Sequence, residues 1–216
     1  EGSGSVQPDE FWSCTNCGAC MENCPVNIEH VPKMIDMRRY KVLMEGDMAP
    51  ELQTTFMNME TNYNPYGFAF GERGAWLPAD LGVKTIAEDP EVDYVYFVGC
   101  AASYDKRSQK VAIALLNIMK KAGLKVGILG AEEACCGDAA MRGGNEYLFH
   151  SLATQNLETF KSYGVKKIIT TCPHGYNMLK KEYASFAKVG LGSDGNHLEY
   201  NIEVFHHTEV IDELIK

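Results

Sequence analysis

Residues 14–25 read CTNCGACMENCP, with four cysteines inside eleven positions, spaced C-x2-C-x2-C-x3-C and closed by Pro25. Short C-x2-C steps place thiolates around a single point, which suits zinc or iron–sulfur ligation. Zinc sites usually present two such pairs separated by a longer loop. Three cysteines at successive three-residue steps, then x3-C-P, match an iron–sulfur run instead. Gly18 and Ala19 are small, leaving room for the backbone to wrap an inorganic cluster and donate N–H groups to its sulfides. The run of Cys14, Cys17, Cys20 and Cys24 is therefore expected to serve [4Fe–4S] binding, with zinc or adventitious spacing as the alternatives.

The spacing is that of bacterial ferredoxins. In their two-cluster forms the first three cysteines hold one cube and the fourth reaches the other. By that logic Cys14, Cys17 and Cys20 ligate one cluster and Cys24 points to a second. These 216 residues hold no second copy of the run. Its partners are expected upstream of Glu1, with another chain or an unusual local geometry as the alternatives. The opening EGSGS, with no methionine before it, reads as a linker or a cut point.

Composition narrows the class. At 45% hydrophobic and 23% charged the chain reads as globular, and no run approaches the ~18 apolar residues of a membrane-spanning helix. Nothing in the given residues reads as a secretory signal peptide. A formal charge of −9 argues against a nucleic-acid partner, whose binding is carried by Lys and Arg. The eight cysteines fall into two clustered sets rather than being scattered, so metal sites in a reducing compartment are expected and not a disulfide framework.

Along the chain, residues 29–45 (EHVPKMIDMRRYKVLME) read as a helix stopped by Gly46. Residues 47–92 lack clean periodicity, carry the turn signal Asn64-Pro65-Tyr66-Gly67, and read as a connector with one short helix near 50–59. From residue 93 strands alternate with helices. Strands are expected at 94–98, 125–129, 167–171 and 201–205. The helix after the first strand is expected to bury Val111, Leu115, Ile118 and Ala122, with Gly123 ending it. The next should bury Phe149, Ala153, Leu157 and Phe160, a third Leu179, Tyr183 and Phe186, and a last helix spans 208–215. This alternation implies an α/β fold with a mostly parallel, Rossmann-like sheet, preceded by a small helical ferredoxin-type segment. The expected divisions are 1–46, 47–92 and 93–216.

On that scheme Cys100, Cys135, Cys136 and Cys172 all follow carboxyl ends of strands, the edge at which parallel sheets bind ligands. Thirty-four residues separate Cys100 from Cys135, and Gly137 plus thirty-four more separate Cys136 from Cys172. The four sulfurs are therefore expected to converge. Taken singly, each would read as a small buried hydrophobe. His206 and His207 follow the fourth strand and His174 adjoins Cys172. Each could donate a hydrogen bond to a cluster or replace a ligand, or be simply solvated. His30, His150 and His197 receive no role.

The motifs Cys100, Cys135-Cys136-Gly137 and Cys172-Pro173-His174 resemble the cysteine-rich CCG domain of heterodisulfide reductase and its relatives. CGACMENCPVNIEHVPKMIDMRRY, ELQTTF, GNEYLF, TTCPHGYNMLKKEY and HHTEVI resemble most the iron–sulfur module of membrane-bound electron-transfer-flavoprotein:quinone oxidoreductases. The resemblance runs over nearly the whole chain. It implies a cytoplasmic-side electron-transfer module, an electron-donor flavoprotein as partner, and a membrane subunit or upstream membrane segment with quinone. One departure stands out. The family motif ends C-x-x-C, and its last cysteine is Gly175 here. A five-cysteine set can hold a non-cubane cluster. With four left, an ordinary [4Fe–4S] site is expected, with zinc, [2Fe–2S] or an altered cluster as alternatives.

The leading functional expectation is thus an oxidoreductase component that relays electrons from a flavoprotein toward quinone at the inner face of the cell membrane, within a larger complex or longer chain. The competing readings are a catalytic disulfide reductase, against which Gly175 counts, and a structural zinc site.

Overall fold

The computed structural model describes residues 6–190, 192 and 195–216; the EGSGS opening lies outside the described residues. Two short helices, α1 (Pro8–Trp12) and α2 (Ala19–Glu22), flank the first cysteines. Helix α3 (His30–Tyr40) runs on through a π-helical turn, Lys41–Glu45, and stops at Gly46 as its sequence suggests. Pro50 then opens α4 (Pro50–Asn62), longer than expected, which buries Phe56 and Met59. Proline fits a first helical position because its missing N–H would have no intrahelical partner there.

The sheet has four parallel strands in the order β2-β1-β3-β4, with β1 Tyr94–Tyr96, β2 Val126–Ile128, β3 Lys167–Thr170 and β4 Glu203–His206. Alternate residues along β1 and just beyond its end enter different apolar clusters. Val95 and Phe97 join one, Tyr96 and Val98 the other, so the strand is buried on both faces. The last strand begins and ends slightly later than its apolar run suggested, which puts His206 inside it.

Between strands lie α5 (Gly99–Tyr104), α6 (Lys106–Lys121), α7 (Asp138–Arg142), α8 (Glu146–Ser162), α9 (Pro173–Asn177), α10 (Tyr183–Ala187) and, after β4, α11 (His207–Leu214). A π-helical turn, Met178–Glu182, joins α9 to α10. Helix α8 buries Phe149, Ala153, Leu157 and Phe160, the stripe its periodicity marks. Each large side chain among them contributes roughly 1.5–3 kcal/mol by leaving water.

Helix α6 departs from expectation. Its buried stripe is Ala112, Leu115, Leu116 and Met119, while Val111 and Ile118 are 49% and 41% exposed and Ala122 faces solvent. The apolar run VAIALLNIM contains two overlapping stripes that share Leu115. The one that lies at i, i+3, i+4 and i+7 covers a wider arc of the helix and goes to the sheet.

The connector belongs to the same packing. Phe56 and Met59 of α4 share one apolar cluster with Phe97, Leu152 and Ile168. Ile86 N–H donates to the Ile128 carbonyl at 2.9 Å, laying the chain before β1 alongside β2.

Candidate metal centres

The first cysteine set is assembled by local backbone. Cys14 and Cys17 precede α2, Cys20 lies within it and Cys24 just beyond. Asn16, Gly18 and Asn27 adopt positive φ, at 55°, 79° and 54°. Such residues turn successive peptide N–H groups toward one concave side that favours anions. Asn16 N–H donates to Cys14 Sγ at 3.4 Å, and Ile28 N–H donates to Cys24 Sγ at 3.3 Å. The backbone N–H of Ala19, then the Thr15 side chain, hold the Cys17 thiol below its ordinary range, and Ile28 and Val26 N–H groups do the same for Cys24. Cys17 and Cys20 are exposed, with Cys14 and Cys24 half-buried.

Arg38 ties this loop to the body of the molecule. Its buried guanidinium donates to the carbonyls of Phe11, Trp12 and Cys14, and on its other side to the Arg142 carbonyl at 2.9 Å. Gly144 lets the two regions approach closely. Its φ is 88°, and a Cβ there would lie 2.6 Å from backbone atoms of Arg38 and Arg39.

The second set is assembled by the sheet. Past the end of β1, Cys100 sits in the first turn of α5. Beyond β2 a short 3-10 turn, Gly130–Glu132, leads to Cys135 and Cys136. Gly137 then turns the chain into α7 at φ 83°, where a Cβ would stand 2.9 Å from Phe149 Cδ2. After β3, Cys172 caps α9, its Sγ accepting the Gly175 N–H at 3.5 Å. The thiols of Cys100 and Cys135 influence each other's ionisation, and Cys136 acts on Cys135 in the same way. Cys172 lies close enough to feel the charge of Cys100.

These thiols are shielded. Hydrogen bonding to Cys135, then burial, pushes Cys100 well above the ordinary thiol range. Cys135 is drawn down by its bond to Cys100, but Cys136 and burial raise it on balance. Burial also raises Cys172. Protonated buried thiols that must ionise to bind are what a metal supplies the free energy to deprotonate. The donor set, all sulfur with N–H groups from Gly137, His174 and Gly175 directed at it, fits a thiolate-bound iron–sulfur group. Among the described residues, no three His, Cys, Asp or Glu side chains close on a single-ion site.

At Gly175 an added Cβ would meet Cys172 Cβ and Thr170 Oγ1 at 3.6 Å and Phe97 Cδ1 at 3.8 Å, ordinary contact distances. A Cβ at position 175 is therefore sterically allowed. His206 ends β4 and His207 opens α11, at the same edge of the sheet. His206 Nδ1 pairs with Thr208 Oγ1 at 2.8 Å and its ring packs edge-on to Tyr176. Burial, then the neighbouring His206, holds His207 below the usual histidine range. His174 is exposed.

Several residues that support the second set escape a motif search. Asn156, wholly buried on α8, accepts from Ala134 N–H at 3.1 Å and donates to the Cys135 carbonyl at 3.1 Å and to Tyr183 Oη at 3.0 Å. Tyr183 in turn donates to the Cys136 carbonyl at 3.2 Å. A polar residue inside the Leu152, Ala153, Leu157, Phe160 stripe was the available signal. Glu133 and Arg73 form an ion pair with both side chains 1% exposed. An acidic residue two positions before a buried cysteine hinted at Glu133, while nothing local marks Arg73.

Known proteins bear on these sites. The cysteine-rich CCG domain family matches residues 94–180. EtfAB:quinone oxidoreductase of Syntrophomonas wolfei is 46% identical over 97% of this chain and 28% of its own length. A probable membrane-anchored ferredoxin of Chromohalobacter salexigens is 35% identical over the whole chain and 31% of its own length. A subunit of the dihydromethanophenazine:CoB–CoM heterodisulfide reductase of Methanosarcina barkeri is 30% identical over 96% of this chain and 48% of its own. The chain thus spans less than half the length of each of these relatives. No solved structure matches it significantly. Residues 94–180 are a cysteine-rich CCG domain related to iron–sulfur oxidoreductases, and the chain as a whole is similar to a part of EtfAB:quinone oxidoreductase and of a heterodisulfide reductase subunit.

Proposed function

We propose that this chain is an electron-transfer module with two iron–sulfur centres, one on Cys14, Cys17 and Cys20, beside which Cys24 reaches toward a further cluster, and one on Cys100, Cys135, Cys136 and Cys172. In this reading it passes electrons from a flavoprotein toward a membrane quinone at the cytoplasmic face of the membrane. The observation that carries it is that Cys100, Cys135, Cys136 and Cys172, two of them buried and two half-buried, all follow strand ends at one edge of a parallel sheet, in a chain 46% identical to an EtfAB:quinone oxidoreductase. An iron–sulfur group supplies one-electron capacity without binding substrate when protein thiolates fill its ligand positions. The chain's part is to exclude water from the second centre, aim N–H groups at both sets of sulfurs, and hold the loop and the sheet edge together through Arg38.

The membrane association belongs to this proposal. Among the described residues no helix is long and apolar enough to cross a bilayer, while the names of two relatives speak of a quinone and of a membrane anchor. Gly175 weighs toward relay and away from disulfide reduction. The three-part division at residues 46 and 92 is part of the same reading.

Metal and sulfide analysis of anaerobically purified protein tests it. Two four-iron centres give about eight iron per chain, a structural zinc at the second site gives about four iron and one zinc, and absence of iron overturns the reading.

A further inference from the structure

Arg73 lies in the connector, outside residues 94–180 that match the CCG family. Its guanidinium is inserted beneath the cysteine edge, and the whole residue is 2% exposed. One terminal nitrogen, Nη2, donates to Cys100 Sγ at 3.4 Å and to Glu133 Oε1 at 2.8 Å. Nε donates to the same Glu133 oxygen at 3.1 Å, and Nη1 donates to the Tyr63 carbonyl at 3.3 Å. That carbonyl also accepts the Cys135 N–H at 2.9 Å. Glu133 in turn accepts Val98 N–H at 2.7 Å and Gly99 N–H at 2.8 Å, fixing the backbone just before Cys100. A single buried cation therefore touches one candidate ligand sulfur and, through Tyr63, the backbone of another.

We infer that Arg73 sets the reduction potential of the centre on Cys100, Cys135, Cys136 and Cys172 and positions Cys100 for it, with Glu133 as its counter-charge. The inference rests on the iron–sulfur reading of that site. Reduction adds one electron, and hence one negative charge, to a water-excluded centre. A fixed guanidinium in contact with a ligand sulfur favours the more negative state through its charge and its N–H donation, so it raises the potential. Glu133 opposes this with a charge of the other sign. An arginine suits the position because its rigid fork can serve Glu133, Cys100 and Tyr63 at once, which a lysine ammonium cannot.

The test is a redox titration followed by EPR on the iron-loaded protein, with the centre on Cys14, Cys17 and Cys20 as an internal reference. Arg73→Gln is expected to lower the potential of the CCG centre enough to change its reduced-to-oxidised ratio about tenfold at fixed potential, about 59 mV for one electron. Glu133→Gln is expected to move it the opposite way. The reference centre stays put in both. A purely structural role would loosen the site in either variant and produce no such opposed signs. Where either variant fails to load iron, Arg73→Lys decides. It keeps the charge and withdraws the fork, so its potential falls between those of the parent and Arg73→Gln, or simply below the parent if that variant is lost. An unchanged potential in Arg73→Lys, or shifts of the same sign in Arg73→Gln and Glu133→Gln, overturns the inference. Absence of iron from the CCG site of the parent protein instead overturns the reading beneath it.

Discussion

The two cysteine sets of this molecule contrast in what holds their sulfurs in place. Near the N-terminus all four sulfurs lie within eleven positions, on a loop of left-handed residues and a four-residue helix that buries none of its own side chains. At the sheet edge each strand end delivers its thiols separately, and Cys135 and Cys136 are buried in the main apolar cluster. Peptide N–H groups hold Cys17 and Cys24 below their ordinary range, while burial and neighbouring thiols hold Cys100 and Cys135 above it. Ordering a backbone costs about 1–2 kcal/mol per residue. Around the first set little apolar burial offsets that cost, so on the proposed reading the iron–sulfur group supplies the order. Around the second the fold supplies it, and on the same reading the group instead displaces protons.

Iron removal is the largest expected break in that contrast. After anaerobic chelation, amides of residues 14–28 are expected to exchange with solvent at nearly unstructured rates. Those of β1, β3 and α8 should stay protected. Protection retained over residues 14–28, or lost across the sheet, would contradict the division of labour.

Asn156→Ala attacks the second set alone. It deprives the buried Ala134 N–H and Cys135 carbonyl of their partner, and each buried group left unpaired costs about 1–3 kcal/mol. A loss of about 2–4 kcal/mol is expected in denaturant titration of the iron-free protein, with the N-terminal centre still reconstituting normally. A loss below about 1 kcal/mol would mean that Asn156 does not hold the 134–136 turn.

How far the sequence disclosed these two sets follows from the same contrast. The first was legible as a motif because its geometry is local. The second was legible only through the fold, since Cys100, Cys135 and Cys172 become neighbours once the strands at 94–98, 125–129 and 167–171 are recognised as parallel. Those strands and the α8 stripe were readable from apolar spacing. The orientation of α6 was not, because Val111 and Leu116 compete for the sheet in an evenly apolar run and packing decides. Arg73 and Asn64 were hidden for a different reason. Asn64, wholly buried, accepts Tyr66 N–H and Phe68 N–H and donates to the Asn62 and Phe68 carbonyls. The turn signal Asn64-Pro65-Tyr66-Gly67 marked this bend, yet no periodicity shows that a connector loop will be folded inward over a cysteine edge.

Gly144→Ala probes the seam between the sets. The new Cβ would meet the backbone of Arg38 and Arg39 at 2.6 Å in a conformation with φ of 88°. Neither partner is the end of a flexible side chain, so α3 must shift, at a cost of about 1–3 kcal/mol. The Arg38 bridge from Cys14 to Arg142 is then strained from one end. Altered EPR of the N-terminal centre beside an unchanged CCG centre is the expected result. Equal perturbation of both would show that the two sets share more structure than Arg38 and Gly144 provide.

The smallest expected effect lies in the thiols themselves. In iron-free protein the thiolate is the species that reacts with iodoacetamide, so each cysteine's rate rises with pH through its own pKa. For Cys17 and Cys24 the folded value is lowered from 9.0 by backbone N–H groups, so their rates climb at lower pH than those of an unfolded thiol. For Cys100 and Cys135 it is raised from 9.0, so the proton is kept in the folded state at pH values where the unfolded chain has released it. Residue-resolved mass spectrometry from pH 6 to 10 should therefore show Cys17 and Cys24 labelled first, and Cys100 and Cys135 last. Exposure acts in the same direction, so the decisive quantity is the midpoint of each pH–rate curve rather than the rate. Midpoints for the two sets that coincide near 9.0 would show that backbone donation and burial do not separate them electrostatically, and the contrast would reduce to solvent access alone.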